Sequence, residues 1–342
     1  MRALGFHEHG DLTNLQLLDV PTPEPAAGEV RVKVAYAALN RLDLFVLKGW
    51  KGLALPKPHV GGSDGAGVVD KLGPGVTGWA PGDRVVVFPS LSCGACHFCA
   101  RGEVSLCAKH HLIGEHEGGM AKEYANVPAA SLKRVPEGFP LREAAAGALT
   151  AVTAWRMMRR ARLVAGEGVL VVGGAGGVNS MAIQIAKISG AGPVIVTATG
   201  EEKAALAKRL GADHVLAADS DWHKEAARLT GGRGADVVVD NVGKATWGKS
   251  LRAAARGGRI VTVGGTTGYD PPAEINQVMW KQLEIIGSTM GTRGEFDTAM
   301  DLLFAGRLKA VVDEEFPLER GAEAYRRLAE GKAVGKVVLR IS

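Results

Sequence analysis

The sequence predicts an α/β fold in which a doubly wound parallel sheet is joined to a second, β-barrel-like domain. Three observations lead to this prediction. The apolar, β-branched stretch 169–172 runs directly into glycines and then into apolar residues at helical spacing, as a strand, a tight turn and a helix would. More strand candidates follow, alternating with helical patterns. Residues 1 to about 130 instead form short strand-like runs separated by proline and glycine.

In the first part of the chain, residues 30–35 alternate apolar and charged side chains, which is typical of a half-buried strand. Residues 67–73 and 83–88 are further strand candidates, and the prolines at 21, 23 and 25 mark an early turn. An alanine-rich stretch predicts a helix over 143–160, which leads towards the strand at 169–172.

The second part of the chain alternates strands and helices. Strands are predicted at 194–198, 214–217, 236–241, 259–264 and 283–288, and a helix at 201–210. Two more helices, 295–305 and 320–330, precede a closing strand at 336–341, which we expect to pair in the first domain because a lone strand needs an edge. The predicted domains are therefore 1–150 plus 294–342, and 151–293.

Length and composition exclude several classes of protein. The chain has 342 residues, 46% of them apolar and 23% charged, which is ordinary for two globular domains. No apolar run approaches the ~18 residues of a membrane span. The N-terminus lacks an apolar signal region, so the predicted location is the cytoplasm. The net charge of +5 is spread without a basic run, so we expect no nucleic-acid partner. Because no apolar run is long enough to span a membrane, we also expect no membrane partner.

The glycine-rich turn after the strand at 169–172 predicts a dinucleotide site. Glycines let the backbone approach a pyrophosphate, and the free N–H groups at the start of the following helix face the anion. The third glycine of the usual motif, which allows close helix–sheet packing, is replaced by Asn179. The residues predicted to contact the cofactor here are Gly173, Gly174, Gly176, Gly177 and Val178.

Four cysteines within one short segment predict a metal site. Cys93, Cys96 and Cys99 are spaced three residues apart, and Cys107 follows. Four thiolates suit a closed tetrahedral site, for which zinc is the usual occupant, and such a site has a structural role because no position is left for substrate. A reducing compartment disfavours disulfides, and the long last spacing disfavours an iron–sulfur cluster. We expect one structural Zn²⁺ per chain.

The sequence resembles the medium-chain dehydrogenase/reductase family, which contains zinc alcohol dehydrogenases and zinc-free quinone reductases. The cysteine segment, the run 81–85, the Gly173 turn and the closing run 335–339 carry this resemblance. It covers essentially the whole chain. It implies a GroES-like catalytic domain, 1–150 plus 294–342 with a zinc lobe at 88–112, and a Rossmann domain over 151–293. It also implies that substrate binds in the cleft between the two.

The positions of the family's catalytic zinc ligands carry other residue types here. Where zinc-holding members have a cysteine, this chain has Asn40; their His-Glu pair corresponds to Ser63-Asp64, and their third ligand falls near Leu149. Asparagine and aspartate supply oxygen only and do not make a three-ligand open site. His59 could assist Asp64 in binding a metal, although a single imidazole is more often a packing residue.

The remaining pattern resembles the quinone-reductase branch, whose Asn-Arg-Leu-Asp run stands here at 40–43. The predicted catalytic-site residues are Asn40, Asp43, Ser63 and Asp64. The Asn40 amide could donate to a developing enolate oxygen, or it could bond its own loop backbone. Asp43 could orient its neighbours, and the resemblance implies that Arg41 pairs with the cofactor pyrophosphate.

The tip of the second Rossmann strand favours NADPH over NADH. NAD sites usually place an acid there, whereas this tip reads Ala198-Thr199-Gly200 with Lys203 downstream. Glu201 and Glu202 are close enough to keep NADH open. The further cofactor contacts implied by the resemblance are Val242, Gly264, Thr266, Ser288, Met290 and Lys336.

The sequence therefore predicts an NAD(P)H-dependent oxidoreductase that transfers hydride to a quinone or an α,β-unsaturated carbonyl compound. Two alternatives stay open: an alcohol or aldehyde dehydrogenase, and a non-catalytic NADPH-binding regulator. We expect a homodimer or homotetramer, because the apolar run 283–286 suits an edge strand that pairs with a second subunit.

Overall fold

The computed structural model describes residues 1–342, which form two compact units. The β unit comprises residues 1–149 and 291–342, and the α/β unit comprises residues 150–290. The predicted domain boundaries, at 150 and 294, fall next to these limits.

The elements are listed here in chain order. The strands are β1 (Arg2–Phe6), β2 (Gln16–Asp19), β3 (Glu29–Ala38), β4 (His59–Val60), β5 (Asp64–Leu72), β6 (Arg84–Val87), β7 (Ser90–Leu91), β8 (His111–Leu112), β9 (Tyr124–Pro128), β10 (Leu132–Arg134), β11 (Val169–Val172), β12 (Val194–Ala198), β13 (His214–Ala217), β14 (Ala235–Asp240), β15 (Ala254–Thr262), β16 (Glu284–Gly287), β17 (Val312–Pro317) and β18 (Lys336–Arg340). The helices are α1 (Arg41–Lys48), α2 (His97–Ala100), α3 (Leu141–Arg160), α4 (Gly177–Ile188), α5 (Gly200–Arg209), α6 (Trp222–Leu229), α7 (Trp247–Ala253), α8 (Ile275–Lys281), α9 (Arg293–Phe304) and α10 (Gly321–Ala329).

The β unit is built mainly from one large sheet with the order β10-β6-β5-β3-β18-β17, to which β9 adds by pairing with β3. The long strand β3 has the alternating burial of a strand with one face in the core. Val30, Val32 and Val34 are fully buried, while the intervening residues are partly or fully exposed. The closing strand β18 pairs antiparallel with β3, with Val338 opposite Ala38. The prediction that the last strand returns to the first domain is confirmed.

The α/β unit contains one six-stranded sheet in the order β13-β12-β11-β14-β15-β16, and all of its neighbouring pairs are parallel. Strand β11 is buried along its whole length, because a parallel sheet with helices on both faces needs continuous apolar runs. The predicted fold class, a doubly wound parallel sheet with a second β domain, is confirmed.

Strand β15 is longer than predicted. It begins at Ala254, whereas the sequence pattern indicated a start at 259. The Arg-Gly-Gly run at 256–258 has the composition of a turn, but here it lies within a strand whose register shifts against β14. No helix of the structure is both long enough and apolar enough to pass through a membrane.

Candidate active site and metal centre

Three neighbouring strands of the β unit bring two predicted catalytic residues, Asn40 and Asp64, together with Lys336, which was predicted to contact the cofactor. Asp64 is the first residue of β5, Asn40 follows the end of β3, and Lys336 is the first residue of β18. Because β3 lies between β5 and β18, Ala38 is opposite both Asp64 and Val338. The sheet order therefore places these three side chains at the same end of the three strands, although Lys336 is 272 residues from Asp64 in the sequence.

The three side chains form one hydrogen-bonded cluster, which we call the Lys336 cluster: Asn40, Asp64 and Lys336. Lys336 Nζ donates to Asn40 Oδ1 at 2.6 Å and to Asp64 Oδ2 at 2.8 Å. Asn40 Nδ2 donates to Asp64 Oδ2 at 2.9 Å, and the Leu149 N–H donates to Asp64 Oδ1 at 2.6 Å. Asp64 is 0% exposed and Lys336 is 4% exposed, so this is a buried ion pair whose carboxylate accepts three hydrogen bonds.

Asp43 lies beside this cluster in the first turn of α1. Its two carboxylate oxygens accept from the backbone N–H groups of Asn40, at 2.7 Å, and of Gly62, at 2.8 Å. Burial raises the pKa of Asp43 to about 6, against the opposing effect of these two donors and of the Lys336 charge. Asp43 therefore fixes the backbone on both sides of the cluster, and it also places a second carboxyl group there.

Two further buried hydroxyl groups lie near the cluster. Ser63 is fully buried and its hydroxyl has no hydrogen-bond partner within the protein. Tyr325 is also buried, and a Cβ atom at Gly61 would come within 2.6 Å of its hydroxyl, so only glycine fits at 61. Burial, followed by the Asp43 charge, raises the pKa of Tyr325 well above its ordinary value. Sequence reasoning missed Tyr325, because a tyrosine in an amphipathic helix gives no signal of its own.

His59 has a packing environment in the β unit. It is 1% exposed, its Nε2 is 3.2 Å from the Gly114 carbonyl oxygen, and its ring centroid lies 5.4 Å from that of Phe6. The other ring nitrogen has no hydrogen-bond partner. The donors that Asp64 accepts from are Lys336, Asn40 and Leu149. Burial lowers the pKa of His59 to about 4, so the imidazole is neutral at pH 7.

This shift predicts that His59 makes stability depend on pH. Between pH 6.5 and about 4 the unfolded state binds a proton that the folded state does not, so stability is lost as the pH falls through this window. The expected loss from this one group is up to about 3 kcal/mol. Urea unfolding at pH 7 and pH 4.5 should show a smaller decline for His59→Gln than for the wild type. Parallel declines in the two proteins would contradict the prediction.

The four cysteines converge as predicted in the lobe between β7 and β8. All four are free thiols, and their sulfur atoms lie within 4.8 Å of one another. The distances from Cys93 Sγ to Cys99 Sγ and to Cys107 Sγ are 3.8 and 3.5 Å, and Cys96 Sγ lies 3.5 Å from Cys99 Sγ. Four sulfurs at about 2.3 Å from a tetrahedral zinc lie roughly 3.8 Å apart, so these thiols fit a closed zinc site.

In the α/β unit, the glycine turn after β11 is held in place by hydrogen bonds to Thr197 of β12. The N–H groups of Gly173 and Gly174 donate to the side chain and the backbone oxygen of Thr197, at 2.9 and 2.6 Å. Gly173 has φ +79°, a conformation that favours glycine. A Cβ atom at Gly176, the N-cap residue directly before α4, would meet nothing within 4 Å. The start of α4 is therefore bare backbone, as a phosphate-binding turn requires.

The other cofactor residues predicted in this unit lie at the carboxyl ends of its parallel strands, the edge where such sheets bind ligands. Thr199 follows β12, and Lys203 lies one turn later in α5. The remaining ones follow β14, β15 and β16: Val242, Gly264, Thr266, Ser288 and Met290. Sequence reasoning missed Asp240 at the end of β14, which is fully buried and accepts from the backbone N–H groups of Val242 and Gly243.

Comparisons with known proteins agree with both units. Residues 26–137 match the family model of the alcohol dehydrogenase GroES-like domain, and residues 177–305 match that of the zinc-binding dehydrogenases. The acryloyl-coenzyme A reductase of Metallosphaera sedula is 35% identical over 333 residues, which cover 96% of this chain and 97% of the relative. The chain belongs to the medium-chain dehydrogenase/reductase family.

Solved structures of this family resemble the protein over its whole length. A crystal structure of an NAD-dependent alcohol dehydrogenase has a TM-score of 0.97 and 45% identity, with 100% of both chains covered. A cobalt- and zinc-bound thermostable alcohol dehydrogenase from Pyrobaculum aerophilum has a TM-score of 0.90 and 39% identity, covering 100% of this chain and 99% of the other. The protein is thus an NAD(P)-dependent medium-chain oxidoreductase with a structural zinc site, which leaves the non-catalytic regulator without support.

Within this family, the catalytic zinc does not fit the residues of the Lys336 cluster. The side chains at the ligand positions offer amide, hydroxyl and carboxylate oxygens, with neither thiolate nor imidazole. The ammonium of Lys336 is already bonded to the Asn40 and Asp64 oxygens that a metal ion would need. Lys336 was predicted to contact the cofactor, and this role stays a prediction. In the structure, its ammonium bonds Asn40 and Asp64. Arg41 lies exposed at the start of α1, and its predicted contact with the pyrophosphate also stays a prediction.

The asparagine that replaces the third motif glycine links three strand ends. Asn179 Nδ2 donates to the carbonyl oxygens of Val172 and Gly173, at 2.8 and 2.7 Å. Its Oδ1 accepts from Asn241 Nδ2 at 2.9 Å, and Asn241 Oδ1 accepts from the Val263 N–H at 3.0 Å. The ends of β11, β14 and β15 are therefore tied together directly beneath the glycine turn.

We expect Asn179→Ala to weaken NADPH binding. Each hydrogen bond that holds the turn contributes about 1 kcal/mol. If one or two of them are lost, the turn is less well ordered before the cofactor binds, and Kd rises roughly tenfold. A titration of NADPH fluorescence measures this directly. Lys187→Ala, on the same helix but paired with Asp213, is the matched control. An unchanged Kd in folded Asn179→Ala would show that the turn keeps its shape without the side chain.

Proposed function

We propose that this enzyme uses NADPH to reduce an α,β-unsaturated carbonyl compound or a quinone. The observation that carries the proposal is the Lys336 cluster, in which Asn40 and Asp64 stand at positions of the family's catalytic zinc site and bond Lys336, with groups that do not suit zinc. Oxidising an alcohol requires a base and a strong electrophile for the oxygen, which the metal supplies in zinc-holding members of the family. Reducing a conjugated carbonyl requires a hydride and a donor for the developing enolate.

Among conjugated carbonyls, we propose the coenzyme A thioester of an unsaturated acid as the first substrate to test. The name of the Metallosphaera sedula relative, an acryloyl-coenzyme A reductase, supports this class. The names of the structural relatives support a second candidate, an alcohol or aldehyde dehydrogenase. The cofactor preference follows from the tip of β12, where Thr199 and Gly200 replace the acid that an NAD site usually has.

Residues of this chain would perform the following parts of the reaction. Bound NADPH supplies a hydride. The glycine turn and the start of α4 would hold the pyrophosphate, and Thr197 and Asn179 keep that turn in shape. The Lys336 cluster would bind the carbonyl oxygen of the substrate. As a hydride adds to the β-carbon, the electrons of the C=C bond shift towards the carbonyl group, and negative charge develops on its oxygen. Asp43 holds the backbone of the cluster in place, and water returns a proton to the α-carbon.

The test is a comparison of both reaction directions on one preparation of known zinc content. NADPH oxidation is followed with acryloyl-coenzyme A, a simple enone and a benzoquinone, and NADP⁺ or NAD⁺ reduction with primary and secondary alcohols. The proposal expects one zinc per chain and turnover with a conjugated acceptor. Two zinc ions per chain together with faster alcohol oxidation would instead favour the dehydrogenase.

We also propose that the enzyme is a homodimer or homotetramer, assembled through the β16 edge of its parallel sheet. β16 ends the sheet and exposes 47% of Ile285. Large apolar side chains in and before α8 are 61–74% exposed: Tyr269, Ile275, Met279 and Trp280. A patch of this kind on one unit indicates a protein–protein interface.

We therefore expect Trp280→Glu combined with Ile285→Glu to lower the mass in solution to that of a monomer, because two buried charges at an interface are costly. Sedimentation equilibrium measures the mass. Val164→Glu is the control, since Val164 is as exposed as this patch and lies in a different segment. A monomeric wild type would refute the proposed assembly.

A further inference from the structure

The carboxyl end of β14 carries a fully buried carboxyl group, that of Asp240, whose hydrogen-bond donors are all neutral. Its Oδ1 accepts from the N–H groups of Val242 and Gly243, at 2.9 and 3.1 Å, and its Oδ2 accepts from the Ser250 hydroxyl at 2.6 Å. The Thr246 hydroxyl donates to both oxygens, at 3.0 and 2.8 Å. Acceptance at both oxygens is the pattern of an ionised carboxyl group.

This negative charge has no cationic partner. The two lysines of the same segment are bonded elsewhere: Lys244 Nζ pairs with Asp270 at 3.0 Å, and Lys249 Nζ donates to the Ser220 carbonyl oxygen at 2.8 Å. No lysine, arginine or histidine forms an ion pair or a hydrogen bond with Asp240. The peptide groups at the start of α7 supply only part of a unit charge, so most of the negative charge is left uncompensated.

The sheet order relates Asp240 to the second nucleotide of a bound dinucleotide. The order β13-β12-β11-β14-β15-β16 is that of a fold built from two mononucleotide-binding halves of three strands each. The glycine turn after β11 and the tip of β12 belong to the first half, which takes the pyrophosphate and the adenine nucleotide. β14 is the first strand of the second half. The nicotinamide nucleotide therefore belongs to the half that carries Asp240.

The turns that follow β11 and β14 differ in their charge. The backbone at Gly176, before α4, is bare and suits an anion. After β14, the N–H groups of Val242 and Gly243 are instead bonded to the Asp240 carboxylate. The first turn therefore suits a pyrophosphate, whereas the second has its N–H groups occupied and a negative charge behind them, which suits a cation.

We propose that Asp240 makes the enzyme favour the oxidised form of its cofactor. The nicotinamide ring is neutral in NADPH and positively charged in NADP⁺, so a buried negative charge in its half of the sheet stabilises the oxidised form. When NADPH gives a hydride to the substrate, a C–H bond of the ring breaks, both of its electrons leave with the hydrogen, and the ring gains the positive charge. Asp240 therefore makes bound NADPH a stronger hydride donor. This inference concerns the cofactor and holds for any acceptor.

The test is to remove the charge while keeping the hydrogen bonds. In Asp240→Asn the amide oxygen can accept from the two backbone N–H groups, and the amide N–H can donate to the hydroxyl oxygens of Thr246 and Ser250. Asp240→Ser is a second charge-removing variant with a smaller side chain. The Kd of NADPH is measured by fluorescence titration and the Kd of NADP⁺ by calorimetry, and NADH and NAD⁺ are titrated in the same way.

Two control variants separate the charge from the structure. Ser250→Ala removes a hydrogen bond from Asp240 and keeps the carboxylate. Asp236→Asn removes a carboxylate at the other end of the same strand, where Asp236 Oδ2 accepts from the Gly168 N–H at 2.8 Å. Neither control should change the preference between the two forms of the cofactor.

The inference predicts that the ratio of the NADP⁺ Kd to the NADPH Kd rises about tenfold in both charge-removing variants and stays within about twofold of the wild type in both controls. A purely structural role would weaken both forms alike, and an unchanged ratio would overturn the inference. A ratio that rose equally in Ser250→Ala would overturn it too, since that variant keeps the charge. A wild type that binds the cofactor but reduces no conjugated acceptor would refute the proposed function and leave this inference standing.

Discussion

Replacing Asp64 by leucine is expected to lower the free energy of unfolding by about 3–5 kcal/mol, because breaking a buried ion pair leaves one charge without a partner. Lys336 would remain at 4% exposure with only the Asn40 oxygen to accept from it. The Leu149 N–H and one hydrogen of the Asn40 amide would also lose their acceptor. Urea-induced unfolding, followed by tryptophan fluorescence, measures the change.

Two further variants show whether the charge or the shape of the side chain is responsible. Removing both partners, as Asp64→Leu/Lys336→Met, should recover much of the loss, since an apolar pair in place of a buried ion pair is often neutral for stability. Asp221→Ala removes an exposed ion pair with Lys224 and should change stability by less than about 1 kcal/mol. If the double variant were as unstable as Asp64→Leu, the cost would come from packing and not from the unpaired ammonium.

Loss of one zinc ligand is expected to have the second large effect. Cys107→Ser should abolish zinc binding and unfold the lobe between β7 and β8. The lobe has no core of its own, since neither α2 nor the short turn at 104–106 buries a residue, and Cys107 is itself one of its buried positions. A segment of this kind depends on the free energy of metal binding for its fold. The thermal midpoint should fall on the order of 10 °C.

Metal analysis, thermal unfolding and limited proteolysis within 93–107 measure these effects. His97→Ala is the matched control, because His97 lies on the same lobe, is exposed and is not one of the four ligands. It should keep one zinc per chain and the wild-type thermal midpoint. Retention of zinc by Cys107→Ser, or iron in place of zinc in the wild type, would contradict the assignment of a closed four-thiolate zinc site.

The sequence was sufficient for features that depend on neighbouring residues. The spacing of Cys93, Cys96, Cys99 and Cys107 predicted a metal site because short loops bring such thiols together whatever the rest of the chain does. The apolar run 169–172 and the glycines after it predicted a strand, a turn and a helix because the periodicity and the backbone freedom of these residues are local properties.

The tertiary structure alone decided how the candidate active site is composed. Asn40 and Lys336 are 296 residues apart, and they meet because β18 pairs with β3. Asn179, which in the sequence is a departure from the glycine motif, bonds Asn241 across 62 residues. Which polar groups bond to one another in this cluster depends on the order of strands in a sheet. That order is fixed by the burial of apolar faces across the whole unit, and no short stretch of sequence encodes it.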